Sequence, residues 1–421
     1  MSRIVLVEDD ICSRFSPLTL LRPVFELRCG HFTVRERLEC LTPTAELGVL
    51  IREHLQPVYA QEHPGIAVND SAFGAAEETL YFNGRWLCDA NSFAVVSELA
   101  PGSVAVLDGQ WVAVRASKGT TLATANDVAE YAQQATPTRA IGKLLEFPWE
   151  LIEQNASQIT ADFELRPRDV VSQSNLDNRV AILGDSDQVF IHPTASIDPF
   201  VVIDARHGPV WIDEGARIQA FTRLEGPCFV GRESQLFRAN VREGCSIGPV
   251  CRVGGEIEES IIHGYANKYH DGFLGHAYIC PWVNLGANTI NSDLKNDYSS
   301  VKLMVDGEMR DTGSTKVGCF IGDHTKTALS SLFNTGSSVG IMSLILPGGE
   351  LLPKVIPSFT RIWHGQLEVN PTTLEAGIAS ARMAMGRRNQ ELTSEAEDLL
   401  RVVYQQTEAE RTKALERRRS R

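Results

Sequence analysis

Residues 321–351 read IGDHTKTALSSLFNTGSSVGIMSLILPGGEL, and every sixth position from the first carries a residue that can be buried: Ile321, Thr327, Phe333, Val339, Ile345 and Leu351. Between these beats lie small, polar or turn-forming residues. A beat of six is neither the alternation of a half-buried strand nor the 3.6-residue period of a helix. It is the spacing of a chain wound into a triangular prism, one hexad per face and three per coil. The same beat runs through Ile191, Ile197 and Ile203; Ile212, Ile218, Leu224, Val230 and Leu236; and Val241, Ile247 and Val253. The spacing therefore predicts a left-handed parallel β-helix of hexapeptide repeats over residues 191–365. Two interruptions are expected, at 254–283 and at 291–316. The second is polar and too long for a corner, as a functional loop on a rigid scaffold would be.

Working outward, the N-terminal part reads as α/β. Residues 3–7, RIVLV, form a buried strand that ends at Glu8-Asp9-Asp10. Thr33 opens a helix near 31–41, Ala125 to Ala135 is helical in pattern, and Phe147 to Phe163 contains a further helix. Residues 78–88 and 102–115 read as strand pairs closed by Asn-Gly and Asp-Gly turns. The expected domains are 1–175, a linker at 176–190, the β-helix at 191–365 and a helical tail at 366–421. The last dozen, charged residues of that tail read as a frayed end.

The 421 residues carry a formal charge of −13, which excludes generic nucleic-acid binding. Nine scattered cysteines without a CxxC pair fit reduced thiols in a cytoplasm. The opening MSRIVLVEDD reads as neither a signal peptide nor a membrane span, so a cytoplasmic protein with no membrane partner is expected.

The irregular stretch between the two regular runs concentrates the reactive residue types. It holds Asn267-Lys268-Tyr269-His270-Asp271-Gly272-Phe273-Leu274-Gly275-His276-Ala277, then Val283-Asn284-Leu285-Gly286-Ala287-Asn288-Thr289-Ile290, with Val241-Arg242-Glu243-Gly244 upstream. These runs resemble the acetyltransferase domain of the bifunctional UDP-N-acetylglucosamine pyrophosphorylase/glucosamine-1-phosphate N-acetyltransferase family. The resemblance implies that His270 is a general base for an amine attacking the thioester of acetyl-CoA, a role that an imidazole's ordinary pKa suits. It implies that Arg242 and Lys268 hold a sugar phosphate, the first as a fork and the second as a point charge. Asn284 would bond the sugar or orient the base. Lys326, in a Gly-Asp-x-x-Lys-Thr step common in sugar-phosphate transferases of this fold, would contact the CoA phosphates. A homotrimer is implied as well. Glu258, Phe273 and Asp293 stand where the family has a lysine, a tyrosine and an asparagine. A different acceptor, or a non-catalytic trimeric scaffold, is the alternative. A three-histidine metal site at His263, His276 and His324 is not expected, because the spacing lacks the two-histidine step.

Arg14-Phe15-Ser16-Pro17-Leu18 through Arg28-Cys29-Gly30, with Phe82-Asn83-Gly84-Arg85 and Phe147-Pro148-Trp149-Glu150-Leu151, resembles a divergent class of sugar nucleotidyltransferases fused to such β-helices. That likeness implies attack of a sugar-1-phosphate on a nucleoside triphosphate such as UTP. Arg14, Arg22 and Arg28 would clamp phosphates, and Asp9 or Asp10, with Glu8, would hold Mg²⁺. No Gly-rich phosphate cradle occurs in residues 1–170. A domain that only binds a nucleotide-sugar therefore stays open, as does a bracing role for Arg22 and Arg28 through Glu26.

Overall fold

Ile4 to Val7 are almost fully buried because the strand Arg3–Val7 lies inside a sheet, with a parallel neighbour on each edge. The computed structural model describes residues 3–165, 170, 172, 176–368 and 373–419. They form two units, and Cys29–His31 and the chain from Leu151 belong to the second.

The first unit is a seven-stranded mixed sheet in the order Ala67–Val68, Glu46–Leu50, Arg3–Val7, Thr79–Asn83, Gln110–Ala116, Ser103–Leu107, Thr136–Arg139. The first four strands are parallel. The chain leaves Arg3–Val7 toward one edge and later returns on its other side, which creates a topological switch point. The Asp108-Gly109 hairpin forms as expected, with both residues at positive φ. Asn83-Gly84 is not a hairpin turn. Thr79–Asn83 has both edges taken by Arg3–Val7 and Gln110–Ala116, and Trp86–Leu87 pairs with Lys143–Leu144 instead.

The helices lie where the pattern places them, at Val34–Leu41, Ala125–Gln134 and Pro148–Phe163. Thr33 caps the first: Glu36 N donates to its Oγ1 at 3.2 Å, and Glu36 Oε2 accepts from Thr33 N at 2.8 Å. Thr33→Ala is expected to cost about 1 kcal/mol in urea unfolding, the usual worth of such a cap. An unchanged midpoint would show that the box carries no stability.

The second unit is the left-handed parallel β-helix. One face is a nine-stranded parallel ladder that stacks Ile191, Ile212, Val230, Ile247, Ile262, Ile279, Ile321, Val339 and Ile356. These residues are at most 1% exposed, so the inward beat is the core. The coils begin before Ile191, because Ala181–Leu183, within the stretch read as a linker, pairs with Val202–Asp204.

The sequence reading of 254–283 as an interruption is corrected. Arg252–Glu258, Ile261–Ile262, Asn267–Lys268, Phe273–Gly275 and Tyr278–Ile279 all join the ladders. The count of six failed there because the corners are short, with Ile257 following Val253 and Ile262 following Ile257 before a full hexad, and because the next inward position, above Val253, holds a lysine, Lys268. The excursion at 291–316 is real and contains the hairpin Lys302–Val305 with Glu308–Asp311.

Leu351 is also corrected. It pairs with outward-facing Leu332 and is 61% exposed, whereas Leu352 is 3% exposed. The Pro347-Gly348-Gly349 corner carries one more residue than the hexad allows.

The tail forms three helices, Thr373–Gly386, Ser394–Gln406 and Glu408–Arg419. The last is not frayed at its start: Arg411 is buried, bonds Thr407 at 2.7 Å and lies 3.9 Å over the Tyr404 ring. Among the described residues no helix is long and apolar enough to cross a membrane.

Candidate functional site

On one face of the prism the residue before each inward beat points outward. Register aligns Ser196, Arg217, Gln235, Arg252 and Asn267 in one column, and isolated bridges continue it through Asn284 to Lys326. The upper part of this column forms one wall of a cavity of about 620 Å³. His270, Tyr265 and Trp282 line it from the coils, and Met383, Arg387 and Arg388 line it from the end of the helix Thr373–Gly386. Tyr265 and Trp282 occupy equivalent left-handed corners of successive coils, so their rings stack at 4.6 Å.

The cavity is cationic although the chain is acidic. Arg252, Lys326, Arg387 and Arg388 face it, and among the described residues lining it none is an Asp or Glu. Burial presses the Lys326 pKa down. Burial does the same to Arg388, and the charges of Arg252 and Arg387 add to it. A cluster of like charges in a concave, partly dry site is relieved by an anion.

The structure gathers three of the expected residues, His270, Asn284 and Lys326, around this cavity. The His270 ring is exposed and sits edge-on to Tyr269 at 5.5 Å, and Tyr269 stacks on Phe237 at 5.2 Å.

Lys268 does not face the cavity, so its expected phosphate contact is corrected. It is 2% exposed inside the prism, where its Nζ donates to the Gly254 carbonyl at 3.0 Å and to the His270 carbonyl. Burial lowers its pKa to about 8. Gly254-Gly255 makes the room: a Cβ on Gly255 would lie 2.9 Å from this Nζ. Lys268 thus braces from within the backbone that carries His270.

Arg242 is also drawn away from the expected phosphate. Its Nη1 donates to Glu258 Oε2 at 2.6 Å, and Lys316 Nζ donates to Glu258 Oε1 at 3.0 Å. Beside them the His276 imidazolium donates through Nδ1 to Asp293 at 2.8 Å and lies with Nε2 3.2 Å from Glu259. Burial opposes that charge, but the two carboxylates outweigh it and hold the pKa at about 9.

In the first unit the switch point brings the ends of Arg3–Val7 and Thr79–Asn83 together, where ligands of open α/β sheets bind. Both oxygens of Asp9 accept there from Arg85, at 2.7 to 3.1 Å, and Asn83 Nδ2 adds a bond at 3.0 Å. Glu8 accepts from Arg52 at 2.9 and 3.1 Å and from Val24 N at 2.9 Å.

The expected Mg²⁺ ligand set is therefore corrected. Asp9 is paired with a buried guanidinium, Asp10 stands exposed, and among the described residues no group of three His, Cys, Asp or Glu side chains is placed to hold a metal ion. These residues do not build a Mg²⁺ site by themselves.

The expected clamps are partly engaged within the protein. Arg28 pairs with Glu36 at 3.3 Å, and Arg22 gives its carbonyl to Arg52 at 2.9 Å. Arg14 lies over Phe147 and 4.0 Å from Glu146. Glu26 accepts from Arg35 at 2.6 Å, from Tyr59 at 2.7 Å and from Thr33 at 3.3 Å.

Sequence reasoning missed Arg252, Asn267, Trp282, Arg387 and Arg388. The signal for the first two was the outward position just before each inward beat. The arginine pair at a helix end was also legible as a favourable partner for the helix dipole.

Residues 4–170 match the model of the sugar nucleotidyl transferase family. The chain is also similar to bifunctional proteins. The bifunctional sugar-1-phosphate nucleotidylyltransferase/acetyltransferase of Sulfurisphaera tokodaii is 33% identical over 93 residues, covering 22% of this chain and 23% of that one. The bifunctional protein GlmU of Nitratidesulfovibrio vulgaris is 29% identical over 150 residues, covering 32% of this chain and 28% of that one. GlmU of Heliobacterium modesticaldum is 24% identical over 226 residues, covering 48% and 47%. The matches thus span about a quarter to half the length of these relatives.

Proposed function

We propose that the chain is a transferase of nucleotide-sugar biosynthesis whose β-helix moves an acetyl group from acetyl-CoA to an amino-sugar phosphate resembling glucosamine-1-phosphate. The observation that carries this reading is the cavity with His270 on one wall and Arg252, Lys326, Arg387 and Arg388 around it. Cationic side chains of this kind suit the phosphates of CoA. His270 takes the proton of the attacking amine, the new C–N bond forms, the thioester C–S bond breaks, and CoA leaves as the thiol. Lys268 and Tyr269 hold the base in place. The active assembly in this proposal is a cytoplasmic homotrimer.

The test is release of free CoA thiol from acetyl-CoA, followed with a panel of amino-sugar phosphates. Turnover with at least one of them is expected, and none across the panel would reject acetyl transfer. A second reading, a different acceptor, is favoured by Glu258, which already neutralises Arg242 and Lys316. Turnover with unphosphorylated amino sugars alone would select it.

For the first unit the proposal is nucleotidyl transfer from UTP to a sugar-1-phosphate, tested by pyrophosphate release. The Asp9–Arg85 pair favours the alternative of a nucleotide-sugar binding module. Binding of UDP-sugar without pyrophosphate release is the outcome that selects it.

A further inference from the structure

Arg388 follows the last turn of the helix Thr373–Gly386, and the chain then turns away at Asn389, which sits at φ 55°. A guanidinium can only donate hydrogen bonds. Arg388 Nη2 donates to Asn267 Oδ1 at 2.9 Å. The amide of Asn267 is thereby oriented: its carbonyl faces Arg388, so its NH₂ faces the next coil. There Asn267 Nδ2 donates to Asn284 Oδ1 at 3.1 Å. Asn284 is oriented in turn, with its carbonyl engaged and its own NH₂ left as the group to offer a ligand. The two asparagines are paired across adjacent coils, and Asn284, Asn267 and Arg388 all line the cavity that His270 lines. Amide orientation is ordinarily ambiguous, but a donor-only partner at one end of the chain of bonds removes the choice.

We propose that Arg388 is a positioning residue for the β-helix site. It sets the polarity of the Asn267–Asn284 pair so that the cavity presents a hydrogen-bond donor to an accepting oxygen of the ligand. The oxygen is either the thioester carbonyl, which gains negative charge when an amine attacks, or a hydroxyl of the acceptor. A donor aimed at developing charge lowers the barrier, whereas one aimed at a hydroxyl tightens binding. The helical tail is then part of the site rather than a cap on the scaffold. The assignment rests on the acetyl-transfer reading, but its geometry can be tested without turnover.

Asn267→Asp is the sharp variant. The new carboxylate keeps Arg388 but cannot donate, so Asn284 must turn its NH₂ toward residue 267 and its carbonyl toward the cavity. Turnover is expected to fall roughly 10²- to 10³-fold, and by a similar factor in Asn284→Ala. The double variant should lose no more than Asn284→Ala alone, because both act through one donor. A fall in kcat assigns the thioester oxygen, and a rise in KM for the acceptor assigns the hydroxyl. Wild-type turnover in Asn267→Asp, or losses that multiply in the double variant, would overturn the relay while leaving acetyl transfer standing.

If wild type transfers no acetyl group, the acyl-transfer reading fails and a second measurement decides the relay. In protein labelled with ¹⁵N-asparagine, the Asn267 side-chain NH₂ protons should exchange slowly in wild type and much faster in Arg388→Ala. Equal rates in the two proteins would overturn it.

Discussion

In the proposed acetyl transfer, His270→Ala is expected to lower kcat by about 10² to 10⁴-fold, the usual worth of a general base, while KM for acetyl-CoA should stay close to wild type. The split follows from the cavity. Its cationic side chains, Arg252, Lys326, Arg387 and Arg388, remain in place when the imidazole is removed, so cofactor binding keeps its contacts. What would be lost is the group proposed to take the amine proton, and that loss would be felt only as the reaction proceeds. The fold is not at risk, because the His270 side chain is exposed and its backbone is held by Lys268. Steady-state rates for both proteins, with several amino-sugar phosphates, check the expectation. Equal turnover would remove His270 from the chemistry, and a raised KM with unchanged kcat would make it a binding residue.

The second large effect is on stability, and it depends on pH. His276 stands between Asp293 and Glu259, with its pKa held at about 9 against the ordinary 6.5. Glu258, Arg242 and Lys316 form the adjoining charge cluster. A base whose folded pKa is raised binds its proton more tightly in the native state. Its contribution is therefore complete below the unfolded value, near pH 6.5, and is lost as pH rises through about 9.

The size is roughly 2–4 kcal/mol, from a shift of that order at 1.36 kcal/mol per unit. The experiment is urea unfolding of wild type and His276→Gln at several pH values from 6 to 10. The difference between the two should be largest at the acid end and should shrink toward the alkaline end, other titrations cancelling. A difference that does not change with pH would show that His276 is not held as an imidazolium. Because Asp293 and Lys316 flank the excursion at 291–316, the same loss of charge should loosen the base of that hairpin.

How much of this could be read from residues alone differs from place to place. The inward column of the β-helix was legible because burial acts on each hexad separately and the repeat multiplies a weak signal. Ile321, Phe333, Val339 and Ile345 are buried as their spacing requires. Leu351 was misread because a fixed step of six cannot register a corner with one extra residue. The stretch 254–283 was misread because its short corners at Ile257 and Ile262 break the step of six, and because an inward lysine does not count as hydrophobic although its ammonium is satisfied by two carbonyls. In the first unit the capped helix after Thr33 is a local matter and was legible. Which strand Thr79–Asn83 would pair with was not, since that depends on which edges are left to bond.

The candidate site divides in the same way. His270, Asn284 and Lys326 carried their chemistry in the sequence, and all three line the cavity. Arg242 and Lys268 carried equal promise, yet one was drawn to Glu258 and the other into the prism. The charge on a side chain is a property of the residue, but where that charge is spent depends on the neighbours the fold supplies.

The sequence by itself determined the β-helix of residues 321–351, because a repeat that buries one residue in six has few ways to do so. Only the tertiary structure decided that the outward column would meet the tail. That meeting joins Arg388 to Asn267 across 121 residues of chain, a contact no local period can encode.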